Sequence, residues 1–353
     1  MASLKPLSPR PSPRNSPRAS PRPSLRPSPR STHSGSLPGT PRSSSGVTLS
    51  ASASARGRAS TFNKLLKNGQ TAHRDPDAVK EDLKRLRGMI LADGIPVEMD
   101  PTLRPRIWKI LLQVGRVDGE EYLNLVRRGP CRLSEKIRND TFRTFASNRV
   151  FTERVRESML VRLLDAFVWR NDEHHELNIG YVQGMNALVA PFLFIMPSEI
   201  EAFYAFSAFI EHCCPQYVQK NLDGVHRGVD LLERCLEHLD PELYTHLHSK
   251  GLVAKIYAFP SVLTLCACTP PLNQVLQLWD FLLAYGVHLN ILCVIAQMVV
   301  IRQDLLSSER PNTLLRKFPE FNAKEVCAIA LTLVRDIPDE LYEELVRHPW
   351  EKT

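Results

Sequence analysis

Acidic residues are missing from the first 74 positions of this chain, although its 353 residues include 38 Asp and Glu residues. The same stretch carries thirteen Lys or Arg residues, many Ser and Pro residues and almost no bulky apolar side chains. Such a composition cannot bury enough apolar surface to offset the entropy cost of ordering the chain. The sequence therefore predicts a disordered basic arm over residues 1–75 and a folded domain over residues 76–353.

The positive charge of the chain is concentrated in that arm. The whole sequence has 45 Lys and Arg residues and a net charge of +7. Without the thirteen basic residues of the arm, 32 remain against 38 acidic residues, so the rest of the chain carries a net charge of −6. A mildly acidic domain is a poor match for the phosphate backbone of nucleic acids, so we expect no nucleic-acid partner for it.

Zinc-ligand spacing and membrane-length apolar runs are also absent. The eight cysteines form no CxxC pair, and several lie in apolar runs, where a free thiol behaves as a small hydrophobic side chain. The longest apolar stretches run ten or eleven residues, about half of a bilayer span, and there is no secretory signal. We therefore expect a cytoplasmic protein without a transmembrane segment.

Motifs for self-contained catalysis are missing as well. The sequence has no GxxxxGK[ST] phosphate loop, no kinase signature, no GxSxG turn and no HExxH helix. His174 and His175 are adjacent in a charged loop, and no third ligand follows at a recognisable spacing. We expect the chain to bind neither a nucleotide nor a metal ion on its own.

Helical spacing dominates the sequence after the arm. Apolar residues recur mostly at intervals of three and four, and alternating β-branched runs bounded by hairpin turns are missing. AVKEDLKRLRGMILADGIP predicts a helix closed by Gly94 and Pro96, and TERVRESMLVRLLDAFVW predicts one capped by Thr152. Ser198 and Glu201 have capping-box spacing before a further helix. The predicted fold is all-α, with many helices and no internal repeat.

Two short stretches, IRNDTFRTF (137–145) and GYVQGMN (180–186), supply an arginine and an amide. Hydrolysis of GTP needs a cation against the charge that develops on the phosphates and a side chain that orients the attacking water. Arg143 can place its planar guanidinium across phosphate oxygens, and Gln183 can both donate and accept hydrogen bonds. In a helical segment, Asp140 at i−3 would restrict the rotamers of Arg143.

The same stretches also have simpler interpretations. Taken alone, an Asp and an Arg three residues apart more often form a surface ion pair, and a Gln before Gly is more often a cap.

Gly184 could let a foreign backbone approach Gln183 closely, because glycine has no Cβ. The apolar residues of the first stretch, which we expect to anchor it, are Ile137, Phe142 and Phe145.

Three ordered motifs of the sequence resemble those of the TBC domain family. RPRIW, from Arg104 to Trp108, resembles RxxxW; IRNDTFR, ending at Arg143, resembles IxxDxxR; and YVQ, ending at Gln183, resembles YxQ. The resemblance extends from about residue 88 to beyond residue 300 and includes a WD-containing helix. TBC domains are GTPase-activating proteins for Rab-like small GTPases.

The resemblance implies an all-helical, two-lobed fold and a mechanism in which two side chains enter the active site of a bound GTPase. By position, Arg143 would be the arginine finger, and Gln183 would take the place of the water-positioning glutamine of the GTPase. The GTP and Mg²⁺ would belong to the partner GTPase, so this chain would need no cofactor of its own. The supporting residues implied by position are Asp140, Tyr181, Arg104 and Trp108, and Gly184, next to Gln183, completes the candidate set.

Longer stretches, among them YVQGMNALVAPF and YAFPSVLTLCACTPPL, are similar to a fungal checkpoint branch of that family. This similarity implies a Ras-like or Rab-like GTPase as the substrate, a second subunit of a GAP complex and a place at the spindle pole body. The activity would restrain mitotic exit or septation. The alternative is a non-catalytic TBC scaffold that binds a GTPase or another partner. The presence of both Arg143 and Gln183 favours the activator, because a scaffold has no chemical need for them.

A short motif recurs in the arm, where SPR occurs five times and TPR once. Each proline biases the preceding Ser or Thr away from helix, which keeps the site accessible to a proline-directed kinase. We expect the unmodified arm to bind an acidic surface such as a spindle-pole scaffold, and phosphates of about −1.5 to −2 each to release it. Two alternatives remain open. The arm is a solvated linker, or the protein is a helical adaptor whose arm binds tubulin or anionic lipid. The candidate sites are Ser8, Ser12, Ser16, Ser20, Ser28 and Thr40.

Overall fold

The structure is a computed structural model that describes residues 45–68, 75–173, 180–320 and 322–352. Within these ranges it contains nineteen α-helices, two short 3₁₀ helices and no strand, which confirms the predicted all-α fold. The six Ser-Pro and Thr-Pro sites and the pair His174–His175 lie outside the described residues. In chain order the α-helices are α1 (Ser45–Asn68), α2 (Pro76–Asp93), α3 (Leu103–Leu111), α4 (Gly119–Arg127), α5 (Ser134–Thr141), α6 (Arg149–Arg154), α7 (Glu157–Glu173), α8 (Met185–Ile195), α9 (Glu199–Cys213), α10 (Asp223–Leu239), α11 (Pro241–Ser249), α12 (Ala254–Tyr257), α13 (Phe259–Leu263), α14 (Leu272–Tyr285), α15 (Asn290–Val300), α16 (Arg302–Ser307), α17 (Pro311–Arg316), α18 (Ala323–Asp336) and α19 (Asp339–Arg347).

Helix α1 lies inside the segment that was predicted to be a disordered arm. Its side chains at helical spacing enter the hydrophobic core, and α1 packs against α2 and α3. Asn63 also donates from Nδ2 to a carboxylate oxygen of Asp100 at 3.0 Å. The prediction of disorder is therefore wrong for residues 45–68, because one apolar helical face is hidden by the Ser-rich and Arg-rich composition around it. The buried residues of α1 are Ala59, Phe62, Leu65 and Leu66.

The predicted end of α2 and the predicted start of α9 agree with the structure. Helix α2 begins after Asp75, whose side chain accepts from the backbone N–H of Asp77, and Gly94 follows its last residue with φ of 70°. Helix α9 begins after Ser198, whose hydroxyl accepts from the backbone N–H of Glu201 at 3.2 Å. These caps satisfy backbone donors that the first turn of a helix leaves without an intrahelical partner.

The predicted helix beginning at Thr152 is wrong in its start and its continuity. Thr152 lies inside α6, and Asn148 caps that helix by accepting from the backbone N–H of Phe151 at 3.0 Å. Val155 then adopts an extended conformation, φ −115° and ψ 113°, which separates α6 from α7. The unbroken apolar pattern thus covers two helices.

An aromatic cluster fills the core where α3, α8, α9 and α14 meet. Trp108 stacks on Trp279 with ring centroids 6.1 Å apart, and Phe192 meets both indoles edge-on at 5.6 Å. Phe209 also stacks on Trp279, with ring centroids 5.3 Å apart. Contacts of this kind stabilise a fold by about 0.5–1.5 kcal/mol each beyond the area they bury. The cluster fixes α3 and α8 relative to each other.

Helix packing divides the domain into two lobes. Helices α4, α5, α7, α8 and α9 pack mainly on one another, whereas α10, α11, α15, α18 and α19 form the core of the second lobe. Helix α14 joins the lobes because it packs on α18 and also on α2 and α3. Across the described ranges, no helix has the length and apolar character needed to cross a membrane.

Candidate functional site

The turn that follows α5 carries Arg143. The backbone N–H of Thr144 donates to the carbonyl of Thr141 at 3.0 Å and closes a four-residue turn with Phe142 and Arg143 at its tip. Both threonines are buried, whereas the side chain of Arg143 is 56% exposed. Arg143 therefore extends from the surface on a turn whose base is anchored in the protein.

Asp140, which is buried in the last turn of α5, holds the arginine from below. One carboxylate oxygen accepts from Nη2 of Arg143 at 2.7 Å, and the other accepts from the hydroxyl of Tyr181 at 2.9 Å. Burial and the charge of Asp140 raise the pKa of Tyr181, so the hydroxyl keeps its proton and remains a donor. The ion pair suggested by the i−3 spacing is present, and it restricts Arg143 while leaving its side chain 56% exposed.

Asn186, in the first turn of α8, connects this turn to the stretch that carries Gln183. Its Nδ2 donates to the hydroxyl of Thr144 at 2.9 Å and to the carbonyl of Asp140 at 3.3 Å. Its Oδ1 accepts from the backbone N–H of Gly184 at 3.2 Å. The amide thus joins the two stretches of the candidate site. Asn186 was not predicted from the sequence, although a polar residue in the otherwise apolar helix MNALVAPFLFI was a signal for it.

Gln183 lies exposed in the turn before α8, and its side chain makes no hydrogen bond within the described part of the chain. The next residue, Gly184, is buried with φ of 105°, a region that favours glycine. A Cβ at Gly184 would lie 2.9 Å from Cγ of Leu263 in α13. The expectation that Gly184 makes room for a foreign backbone is therefore wrong, because Leu263 of the same chain occupies that space.

Arg104 and Trp108 form a second polar cluster with a residue that the sequence analysis did not single out. Arg104 donates to both carboxylate oxygens of Asp280, from Nε at 3.0 Å and from Nη2 at 2.8 Å, and Trp108 Nε1 donates at 2.7 Å. All three residues are buried. Burial raises the pKa of Asp280, and the charge of Arg104 opposes that shift. Asp280 is the second residue of the WD dipeptide in the helix that the family resemblance includes, so the sequence did point to this residue.

The predicted residues therefore fall into two places. Arg143, Asp140, Tyr181, Gln183 and Gly184 come together at the surface through Asn186, whereas Arg104 and Trp108 lie in the core on α3. Within the described residues, no group of three or more His, Cys, Asp and Glu side chains could hold a metal ion.

The three predicted anchors of the Arg143 segment differ from one another. Ile137 is buried, and Phe145 packs on Phe151 with ring centroids 5.0 Å apart. Phe142 is 64% exposed, so its prediction as an anchor is wrong. Phe142 is one of the two central residues of the turn, whereas the buried residues of this turn, Thr141 and Thr144, are at its base.

Comparison with known protein families matches residues 101–306 to the Rab-GTPase-TBC domain. The chain belongs to this family, the family of GTPase-activating proteins that its three motifs resemble. Among relatives, it is 47% identical to Cell division control protein 16 of Schizosaccharomyces pombe over 282 residues, covering 79% of this chain and 92% of that protein. It is 38% identical to the mitotic check point protein BUB2 of Saccharomyces cerevisiae over 286 residues, covering 77% and 94%.

Solved structures share the same fold. The Ypt/Rab-GAP domain of Gyp1p superposes with a TM-score of 0.63 at 19% identity, covering 80% of this chain and 97% of that one. A flagellar RabGAP TBC domain from Chlamydomonas gives a TM-score of 0.58 at 18% identity, covering 90% and 98%. At these identities the comparison establishes the fold alone.

Proposed function

We propose that this chain accelerates GTP hydrolysis by a Ras-like or Rab-like small GTPase and that Arg143 and Gln183 are its two catalytic fingers. The observation that carries this proposal is the arrangement around Asp140. A buried carboxylate, held by Tyr181, pairs with an arginine whose side chain remains 56% exposed. The carboxylate is thus fixed by the protein, and the arginine that it holds stays accessible to a partner.

The chemistry follows from what each side chain can do. Arg143 supplies positive charge against the charge that develops on the phosphates during hydrolysis, and its planar fork can contact two oxygens at once. Gln183 can accept from the attacking water and donate to a phosphate oxygen. Asp140 limits the rotamers of Arg143 beforehand, so less entropy is lost when the arginine engages. The GTP and Mg²⁺ belong to the partner GTPase.

The alternative, a scaffold that binds a GTPase without accelerating hydrolysis, uses the same fold. The exposed amide of Gln183 favours the activator. It makes no hydrogen bond in the described part of the chain, so it is available to a water or a phosphate of a bound partner. A scaffold would gain nothing from this arrangement at the surface.

The cellular setting is a further part of the proposal. Two relatives carry the names of a cell division control protein and a mitotic check point protein, and this chain covers more than nine-tenths of each. We place the GTPase-activating activity in a checkpoint that restrains mitotic exit or septation at the spindle pole body. A second GAP subunit and a spindle-pole scaffold are its proposed partners, and the basic residues and SPR repeats of residues 1–44 support attachment to an acidic scaffold.

Single-turnover GTP hydrolysis by a panel of small GTPases tests the finger assignment. We expect Arg143→Lys to lower the stimulated rate by roughly 10³-fold or more, about 4 kcal/mol at 1.36 kcal/mol per decade, because lysine cannot reproduce the planar fork. Gln183→Ala should slow the same step. Arg347→Lys is the matched control, since Arg347 in α19 is also an exposed arginine paired with a carboxylate, Glu343, at 2.8 Å.

The result decides between the activator and the scaffold. Full activity of Arg143→Lys and Gln183→Ala would contradict the finger assignment. A wild-type chain that binds a GTPase without accelerating hydrolysis would instead show the scaffold. Circular dichroism of each variant keeps loss of folding separate from loss of chemistry.

A further inference from the structure

Two large apolar side chains are unusually exposed. Among the large apolar residues that the structure describes, only these two are more than half exposed. Phe142 is 64% exposed and Val150 is 65% exposed, whereas the next in rank, Val300, is 48% exposed. Both lie within eight residues of Arg143. Single exposed apolar residues are common, but two in one short segment that also carries the arginine finger point to a contact surface.

The backbone fixes the position of Phe142 relative to the finger. Phe142 and Arg143 are the two central residues of the turn closed by Thr144 N–H and the carbonyl of Thr141 at 3.0 Å. Consecutive Cα atoms are about 3.8 Å apart. A protein whose nucleotide is reached by Arg143 therefore also comes within reach of Phe142.

Val150 is held near the same turn by the aromatic contact beneath it. It precedes Phe151, whose ring packs on Phe145 at 5.0 Å, so the start of α6 is fixed to the segment that follows Arg143. Phe145 and Phe151 supply the internal packing of this region, which leaves Phe142 and Val150 without a role in the core. Aromatic side chains, Phe among them, are enriched at protein–protein interfaces relative to the rest of the surface.

We propose that Phe142, together with Val150, is the apolar anchor by which this chain binds a small GTPase beside its nucleotide site. This inference rests on the function proposed above and deepens it. Phe142 contributes to binding of the GTPase, and Arg143 contributes to the hydrolysis step. The surface of the GTPase that meets Phe142 is apolar and lies at the edge of the bound GTP.

The test uses the full chain and two readouts. One is the Kd for a GTPase loaded with a non-hydrolysable GTP analogue, and the other is the pair of KM and kcat for stimulated hydrolysis. We expect Phe142→Ala to raise both Kd and KM by about tenfold or more, because burial of a Phe side chain is lost, while kcat changes by less than about twofold. Phe142→Leu should recover part of the affinity, whereas Arg143→Lys should lower kcat.

Val150→Ala and Val300→Ala form a matched pair. Val300 ends α15, whose first residue, Asn290, donates to the carbonyl of Ser261 at 3.1 Å. Val300 is ten residues after Asn290 in sequence, and so about 15 Å further along the helix. Val150→Ala should raise KM by a few-fold, and Val300→Ala should leave it unchanged. Both substitutions shorten an exposed valine, so the two variants should unfold at the same temperature.

Each outcome of these measurements is decisive. An unchanged Kd for Phe142→Ala, or a loss of kcat at constant Kd, would overturn the anchor and leave the proposed function intact. A wild-type chain that binds the GTPase through Phe142 without stimulating it would overturn the proposed function and leave the anchor intact. A wild-type chain that binds no GTPase would overturn both. A wild-type dimer that Phe142→Ala dissociates in sedimentation would assign the surface to a second copy and overturn the anchor.

Discussion

Two arginine–aspartate pairs in this chain use the same side chains for different purposes. Arg104 makes three hydrogen bonds to Asp280, and both residues are buried between α3 and α14. Arg143 makes one hydrogen bond to Asp140, and its side chain is mostly exposed. The fully buried pair uses the arginine to join two helices. The half-buried pair leaves the arginine accessible to a partner.

Each aspartate also accepts from an aromatic donor, and this shared feature clarifies the difference. Trp108 donates to Asp280 and Tyr181 donates to Asp140. The carboxylate is therefore held in place by a second group in both clusters, so its position does not depend on the arginine alone. Only at Asp140 does the arginine remain exposed for further contacts.

The largest expected contrast comes from removing each arginine in turn. Arg104→Ala leaves the carboxylate of Asp280 buried without its ion pair, and we expect it to lower the free energy of unfolding by about 3–5 kcal/mol. Arg143→Ala should lower it less, by about 1 kcal/mol, because this arginine is exposed and the buried carboxylate of Asp140 keeps the hydrogen bond from Tyr181. Chemical denaturation measures both values. Equal losses would show that the two pairs do the same work in the fold.

The second prediction concerns the aromatic donor in the core. Trp108→Phe keeps an aromatic ring between Trp279 and Phe192 but removes the N–H that donates to Asp280. We expect a loss of about 1–3 kcal/mol in the free energy of unfolding, because a buried acceptor loses one partner. Stimulated hydrolysis, measured well below the unfolding temperature, should stay at the wild-type rate. A stable variant without activity would mean that Trp108 acts on the GTPase site.

The third prediction concerns the aromatic donor at the surface site. Tyr181→Phe removes the hydroxyl bond to Asp140, so we expect a loss of about 1 kcal/mol in stability and roughly a tenfold lower stimulated rate. Loss of rate should exceed loss of stability, because Asp140 then holds Arg143 less firmly. Hydrolysis and denaturation are measured on the same preparations.

A matched control for Tyr181 exists elsewhere in the chain. The hydroxyl of Tyr122 donates to Glu199 at 2.6 Å, and Glu199 also pairs with Arg162 at 2.6 Å. This trio repeats the Tyr–carboxylate–Arg arrangement away from the candidate fingers. Tyr122→Phe should therefore cost similar stability and leave the hydrolysis rate unchanged. A rate loss in both variants would trace the effect to stability alone.

The smallest expected effect belongs to the basic arm. Deletion of residues 1–44 should leave the free energy of unfolding unchanged, because both arginine–aspartate pairs lie within the folded domain. The stimulated rate should change by less than about twofold. Deletion of residues 1–68 is the contrasting control. It also removes Phe62 from the core, so we expect the remaining domain to lose stability. A lower rate after the shorter deletion would place part of the function in the arm.

Helix content was predictable from the sequence, whereas helix breaks were not. Apolar spacing, the end of α2 at Gly94 and the cap of α9 at Ser198 depend on neighbours along the chain, so these features were predictable. The break at Val155 depends on packing, because this residue is buried in an extended conformation without a Gly or Pro beside it. Helix α1 was missed for a related reason, since its apolar face gains stability only against α2 and α3.

The candidate site was predictable as far as local spacing and family motifs reach. Asp140 lies three residues from Arg143, so their pairing followed from the chain itself. Asn186 was missed because its partners, Thr144 and Asp140, are more than forty residues away in sequence. Phe142 was misplaced because an apolar residue was assumed to face the core, and only the turn geometry shows it at the tip.

Gly184 makes the candidate site genetically fragile at a position that contacts no phosphate. Every missense change at a glycine codon adds a side chain, and here the new Cβ would meet Leu263 at 2.9 Å in a left-handed backbone. The turn that carries Gln183 would then have to move away from α13. A screen for inactive alleles should consequently recover codon 184 alongside codons 143 and 183, even though glycine supplies no chemistry.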